Sequence, residues 1–427
     1  MNQNRRHFLR SATYSSITAC VWSRLYTNAM AQASADGAEQ LTAREFLKSI
    51  LYSREEVDQW LAGKAFPFAK YSSDFGWLLP DAYFRDGIDD SVSVYTYASP
   101  DGERTLGNYA NLPCRINTYG DSYTQCHQVS DNETWQECLA AHLHEPVRNF
   151  GIGGWSCYQA YLRMLKEEQR TPAKYIIFNI YDDDHLRSLD AWRNIRVRKH
   201  VRFIEPTLPH VRVNIKNESF EERPNPCPTL ESLYELCDLD KVYEMFKDDF
   251  VLKIMLAHKN ATTKNPFQAY KDITALATTH GIETSIETNE HLSKAANDLQ
   301  IRSALFATQK IVEKIEAFAN ANDKKVLYVL SFPPTSIARR VREGTRWDQP
   351  FVDFLKQKNL PFVDLMDAHL QDFEKYKINA KEYLAQYFVG HYNPRGNQFC
   401  AFALKDSLIK LLEPKPVPYR ENSTVVP

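Results

Sequence analysis

Two apolar runs, Tyr175-Ile176-Ile177-Phe178 and Val326-Leu327-Tyr328-Val329-Leu330, constrain the fold of this 427-residue chain more than any other feature. Neither alternates with polar residues, so neither has a face to show to water. Runs of this kind read as strands covered on both sides, the pattern of a parallel sheet. With their flanks the two strands are predicted at 175–181 and 326–332, and further strands at 116–119, 147–150 and 361–365. Helical periodicity falls between them at 133–143, 158–166, about 299–321 and 349–358, and Pro394 opens a last helix at about 396–412. Strand and helix in alternation, joined by right-handed crossovers, predict an α/β fold with a doubly wound parallel sheet.

The rest of the chain is organised around that sheet. Asn4-Arg5-Arg6-His7-Phe8-Leu9-Arg10 reads as a twin-arginine signal, followed by a weakly apolar stretch and a cleavage site at Ala29-Met30-Ala31 or Ala33-Ser34-Ala35. Residues 1–35 are therefore expected to be removed, leaving a periplasmic or secreted protein with no transmembrane segment. Residues 36–113 read as an N-terminal extension packed on the main domain, with Thr42 and Glu45 forming a capping box and a strand at 92–97. The main domain spans 114–412 and carries an insertion at about 187–298, far longer than a crossover needs. Within it fall a strand at 211–215 and helices at 230–236 and 241–256. The tail 413–427 reads as loose. Of the eight cysteines Cys20 lies in the signal, and Cys227 and Cys237 are near enough in sequence to bridge. A net charge of −2 leaves no basic surface for nucleic acid.

Four segments supply chemistry. Tyr119-Gly120-Asp121-Ser122 is a strand end running into a turn that lifts a serine hydroxyl off the sheet, where a base can take its proton. Asn149-Phe150-Gly151-Ile152-Gly153-Gly154 follows the second strand, Asp182-Asp183-Asp184 the third, and Gly390-His391-Tyr392-Asn393-Pro394 precedes the last helix. In an open parallel sheet ligands bind beyond the carboxyl ends of the strands, so all four belong to one rim. His391 is the expected base for Ser122, and the amides of Ser122 and Gly154 the expected donors to an oxyanion. Asp182-Asp183-Asp184-His185 also suggests a divalent-cation site. Successive residues leaving a strand point apart, however, so at most two would face one ion. No metal or cofactor is expected.

Taken together, Gly120-Asp121-Ser122, Asn149-x-Gly-x-x-Gly154, the strand leading into Asp182-Asp183, and His391 before a C-terminal helix resemble the SGNH/GDSL hydrolase superfamily. The resemblance covers about 115–185 and 324–412, with a lead-in from Gly76-Trp77 to Gly102 like that of some exported members. It implies a flavodoxin-like sheet in three α/β/α layers, with Ser122 as nucleophile and first oxyanion donor, Gly154 as second donor and His391 as base. It also implies a carboxylic ester as substrate, with acetyl on a carbohydrate preferred and no partner beyond such an acylated small molecule or polysaccharide. Two positions depart from the family pattern. Asp182 stands where the family has an asparagine donor, and Phe388 stands where it has the aspartate that orients the histidine. The orienting carboxylate is then expected from Asp182 or Asp183, with Asp364 and Asp367 as alternatives, or the dyad is assisted by a backbone carbonyl. An O-acetyltransferase using the same residues, or an inactive binding protein of the same fold, are the competing expectations. The oligomeric state is left open.

Overall fold

The computed structural model describes residues 40–64, 69–99, 102–197, 205–263 and 266–420. The twin-arginine segment lies outside them. Five strands, β1 (Ile116–Tyr119), β2 (Arg148–Asn149), β3 (Tyr175–Tyr181), β4 (Lys325–Ser331) and β5 (Phe362–Asp364), form one parallel sheet in the order β5-β4-β3-β1-β2. That is the 2-1-3-4-5 order of a flavodoxin-like doubly wound sheet. β3 is buried from Tyr175 to Ile180 and β4 from Val326 to Ser331, as two-sided cover demands.

The strand order decides where the helices go. β1 to β2 steps one way along the sheet, whereas β2 to β5 steps the other way. Right-handed crossovers then place the helices on opposite faces. α2 (Trp135–Leu143) joins β1 to β2 and packs on α6 (Pro394–Leu411), while α3 (Cys157–Arg170), α4 (Asn289–Ala321) and α5 (Gln349–Gln357) pack together. α1 is the single turn Ser122–Gln125 after β1. Caps set several boundaries. α4 starts ten residues before its predicted position because Thr288 accepts a hydrogen bond from His291 N. β5 ends at Asp364, whose side chain accepts from the amides of Met366 and Asp367 and starts the helix Leu365–Phe373.

Between β3 and β4 the chain forms the helices Asp184–Arg187 and Arg193–Val197 and an antiparallel hairpin, His210–Asn214 with Ser219–Arg223. The helices Leu239–Phe246, Phe250–Asn260 and Phe267–His280 and the whole of α4 follow. The helix predicted over 241–256 is two, because Asp249 caps a second start. No disulfide joins Cys227 to Cys237 or any other described cysteine pair. Among the described residues no helix is long and apolar enough to cross a membrane.

Ahead of β1, the hairpin Ala82–Arg85 with Val92–Tyr95 lies beside the carboxyl end of the sheet, and Arg104 pairs with Asn149 at the β2 edge. The loop after β2 closes against the turn after β1: Ile152 N donates to Gly120 O at 3.1 Å. A Cβ at Gly151 would stand 2.2 Å from Gln125 N and 2.5 Å from Thr124 C, both backbone atoms of α1. Gly151→Ala should therefore cost about 3 kcal/mol, at the upper end for overpacking. Gly344→Ala, where φ is +70° but a Cβ meets open space, should cost about 1 kcal/mol. Urea denaturation of the two variants measures the difference.

Candidate active site

Ser122 opens α1 immediately beyond β1. Gly120 makes the turn possible, because its φ is +154° and a Cβ there would meet Thr124 Oγ1 at 2.2 Å. Asp121 caps α1 by accepting Tyr123 N at 2.9 Å. The serine is 8% exposed, and its Oγ lies 2.9 Å from Nε2 of His391 and 3.1 Å from Asp121 Oδ2. Ser122 and His391, 269 residues apart in the chain, thus meet within hydrogen-bond reach.

The other side of the imidazole faces a glutamine. Gln128 Oε1 accepts the backbone amide of His391 at 2.7 Å and stands 3.2 Å from its Nδ1. Gln128 Nε2 donates to Asp86 O at 2.8 Å and to Val389 O at 3.3 Å. Those neighbours fix which end of the amide is oxygen, since one end meets only a donor and the other only acceptors. A carbonyl oxygen facing Nδ1 requires the proton on Nδ1. Nε2 then carries the lone pair that Ser122 can donate to. Gly390 makes room for this contact, because a Cβ there would lie 2.5 Å from Gln128 Oε1.

Gln128 is held in turn. Its backbone has φ +74°, and its amide donates to the Tyr95 hydroxyl at 2.7 Å, which donates to Asp86 Oδ2 at 3.1 Å. Arg104, 2% exposed, reaches the same loop from below. It donates to the carbonyls of Gln125, Cys126 and Val129 and, through Nε, to Asp131 at 2.6 Å. The Tyr123 ring stacks on Tyr181 at 4.7 Å and tilts against His391 at 5.1 Å, and the His127 ring stands edge-on to His391 at 5.0 Å. Burial, followed by the neighbouring His127 and Arg187, holds the His391 imidazole well below its ordinary range. It is therefore neutral in the resting site.

Asp182 and Asp183 do not orient His391, contrary to the sequence expectation. The two oxygens of Asp182 accept Ser336 Oγ and Trp347 Nε1, each at 2.6 Å, and burial raises its carboxyl to about 6. Asp183 is bound by Arg187 and Arg196. Burial works to raise its pKa, but the two guanidiniums outweigh it and hold the carboxyl well below the usual range. Asp364 is taken by Arg346 and Asp367 is exposed. The cation-site reading fails on the same contacts, since Asp184 pairs with Arg187 and His185 Nδ1 meets Thr308 Oγ1 at 2.9 Å. Gly154 has φ +82°, with Trp77 and Arg193 closing over its Cα, and its carbonyl accepts Arg193 Nη2 at 2.6 Å. Trp155 is fully buried against Phe75.

Four residues of this site were missed in the sequence: Gln128, Arg104, Asp86 and Arg187. The only signal was proximity, since Gln128 lies six residues after the serine, and a glutamine carries no charge to attract notice.

No family model matches the chain, and no curated protein matches it. Among solved structures it is similar to a candidate lipolytic protein of the G-D-S-L family from Desulfitobacterium hafniense DCB-2. The identity is 12%, over 68% of this chain and 98% of that one, with a TM-score of 0.30. So slight a likeness carries no weight, and the functional reading rests on the geometry.

A neutral carbonyl beside Nδ1 orients the ring but does not stabilise its charge. A carboxylate there would do both and raise the imidazole pKa by one to three units. Gln128→Glu should thus move the acidic limb of kcat/KM upward by at least one pH unit. In the unmodified protein that limb should lie well below pH 6.5, the unperturbed value, because the base form persists there. The charged or titratable neighbours, His127, Arg187, Asp121 and Asp86, are the same in both proteins. Imidazole NMR titration with pH–rate profiles measures the shift.

Proposed function

We propose that this protein is a serine ester hydrolase of the SGNH/GDSL type. The observation that carries the reading is the 2.9 Å contact between Ser122 Oγ and the unprotonated Nε2 of His391. Nε2 accepts the hydroxyl proton as Oγ bonds to the carbonyl carbon, and the carbonyl π pair moves onto oxygen. The oxyanion collapses as the C–O bond to the leaving alcohol breaks, and the imidazolium returns its proton to that alcohol. Water, deprotonated by the same imidazole, then releases the acid and frees Ser122. The amides of Ser122 and Gly154 are the proposed oxyanion donors.

The assembled dyad supports an active enzyme over an inactive binding protein, because Gln128, Gly390 and Arg104 all act to hold one imidazole in one tautomer. A short acyl group on a carbohydrate is the proposed substrate and the periplasm or the cell exterior the proposed site of action, both resting on sequence alone. A fluorophosphonate probe should label the folded protein at Ser122, and Ser122→Ala should abolish labelling. His391→Ala should lower kcat on an aryl acetate by about 10²–10⁴, the usual worth of a positioned base. A folded protein that takes no label and hydrolyses no ester overturns the reading.

A further inference from the structure

Beneath Ser122 lies an arginine that the acyl-enzyme mechanism above does not use. Arg187 leaves the short helix Asp184–Arg187 after β3, with its side chain 13% exposed. Nε donates to Asp183 Oδ2 at 2.9 Å. Nη1 donates to Asp184 Oδ1 at 2.8 Å, to Trp155 O at 3.1 Å and to Asp121 Oδ2 at 3.3 Å. The guanidinium therefore ties the turn that bears Ser122 to the loop that bears Gly154. The bond to Asp121 is made at the same carboxylate oxygen that faces Ser122 Oγ. The Tyr181 ring lies 5.2 Å beneath the guanidinium carbon and fixes its plane. Nη2 alone donates to no acceptor among the described residues, and it is not sealed away from solvent.

Three features make that nitrogen useful. An oxyanion formed at Ser122 needs several fixed donors, and a charged donor is roughly twice as strong as a neutral one. The carboxyl nearest in sequence that an amide donor might have replaced, Asp182, is turned away to Ser336 and Trp347. Asp121, whose carboxylate would repel an oxyanion, is countered by the same guanidinium. Arg187 cannot serve as an acid, because three carboxylates beside it outweigh burial and push its pKa up further.

Resting on the ester-hydrolase reading, we propose that Nη2 of Arg187 is a third oxyanion donor, so that Arg187 is a catalytic residue. It gives a hydrogen bond to the carbonyl oxygen as charge develops there and transfers no proton. His391 Nε2 and Asp121 Oδ2 lie 2.9 and 3.1 Å from Ser122 Oγ, and Arg187 joins that Asp121 oxygen to Trp155 O on the Gly154 loop.

Full-length protein carrying Arg187→Lys keeps the positive charge among Asp121, Asp183 and Asp184 but loses the fork. Arg187→Ala leaves the buried carboxylates of Asp121 and Asp184 without their guanidinium, so the double variant Arg187→Met with Asp184→Asn serves where the alanine protein does not fold. Each is compared with wild type for kcat and KM on an aryl acetate and for inhibition by an aryl trifluoromethyl ketone, which forms the tetrahedral adduct on serine. The expected result is a fall in kcat of about 10²–10³ with KM little changed. Ketone affinity should weaken by the same factor as kcat/KM. Wild-type kcat in Arg187→Lys, or a loss of kcat with no loss of ketone affinity, overturns the assignment and leaves Arg187 a structural clasp. The ester-hydrolase reading is tested separately: wild-type protein that neither turns over the acetate nor labels at Ser122 defeats both.

Discussion

The buried guanidinium of Arg104 is the constraint on which the site depends. Its backbone amide donates to Asn149 O at 2.8 Å and extends the sheet edge beyond β2. Its side chain passes beneath the 125–129 loop and donates to three of its carbonyls, to Val94 O and to Asp131. Carbonyls in a loop have no ladder to satisfy them, and leaving one buried and unpaired costs about 1–3 kcal/mol. One arginine meets that need for a whole turn. The loop it fixes carries Gln128, Gln128 fixes the tautomer of His391, and His391 meets Ser122.

The charge distribution under the site follows a consistent logic. Of the aspartates at the ends of β1 and β3, Asp121 and Asp184 are buried and Asp182 and Asp183 partly so, and all but Asp182 are answered by an arginine from the segment after β3. Arg187 serves Asp121, Asp183 and Asp184, while Arg196 serves Asp183 and Asp190. The cationic partners stay charged, and the imidazole stays neutral chiefly because it is buried and then because His127 and Arg187 stand near it. A base that is neutral at rest is what a serine hydroxyl requires. The same environment disfavours the imidazolium that forms during the reaction, so stabilisation of the oxyanion must carry more of the catalytic burden.

The segment ahead of β1 takes part in the site rather than merely packing beside it. Tyr95 and Asp86, on and beside the hairpin Ala82–Arg85 with Val92–Tyr95, anchor the backbone and side chain of Gln128. Trp77 closes over Gly154 and donates to Gly153 O at 3.1 Å. Both loops are therefore braced by residues 33 to 76 positions earlier in the chain.

What the sequence determined by itself is local. Unbroken apolar runs mark β3 and β4, because a strand with no polar face must be covered on both sides. The strand-to-turn transition at Gly120-Asp121-Ser122 is legible because only certain residues fit such a turn. The strand ends then predict one rim on which Ser122, Gly154 and His391 belong. Tertiary structure decided what no spacing encodes: which acceptor faces Nδ1, and what the aspartates after β3 are for. Gln128 reaches His391, and Asp86 reaches Gln128, only because a hairpin and a loop from different parts of the chain fold together there. Asp182 and Asp183 leave it because Trp347, Ser336, Arg187 and Arg196 are nearer partners once the chain is closed. Hydrogen-bond partners are set by position in space, and a carboxylate at a strand end goes to its nearest donors, neutral for Asp182 and cationic for Asp183, rather than to the residue a motif would assign.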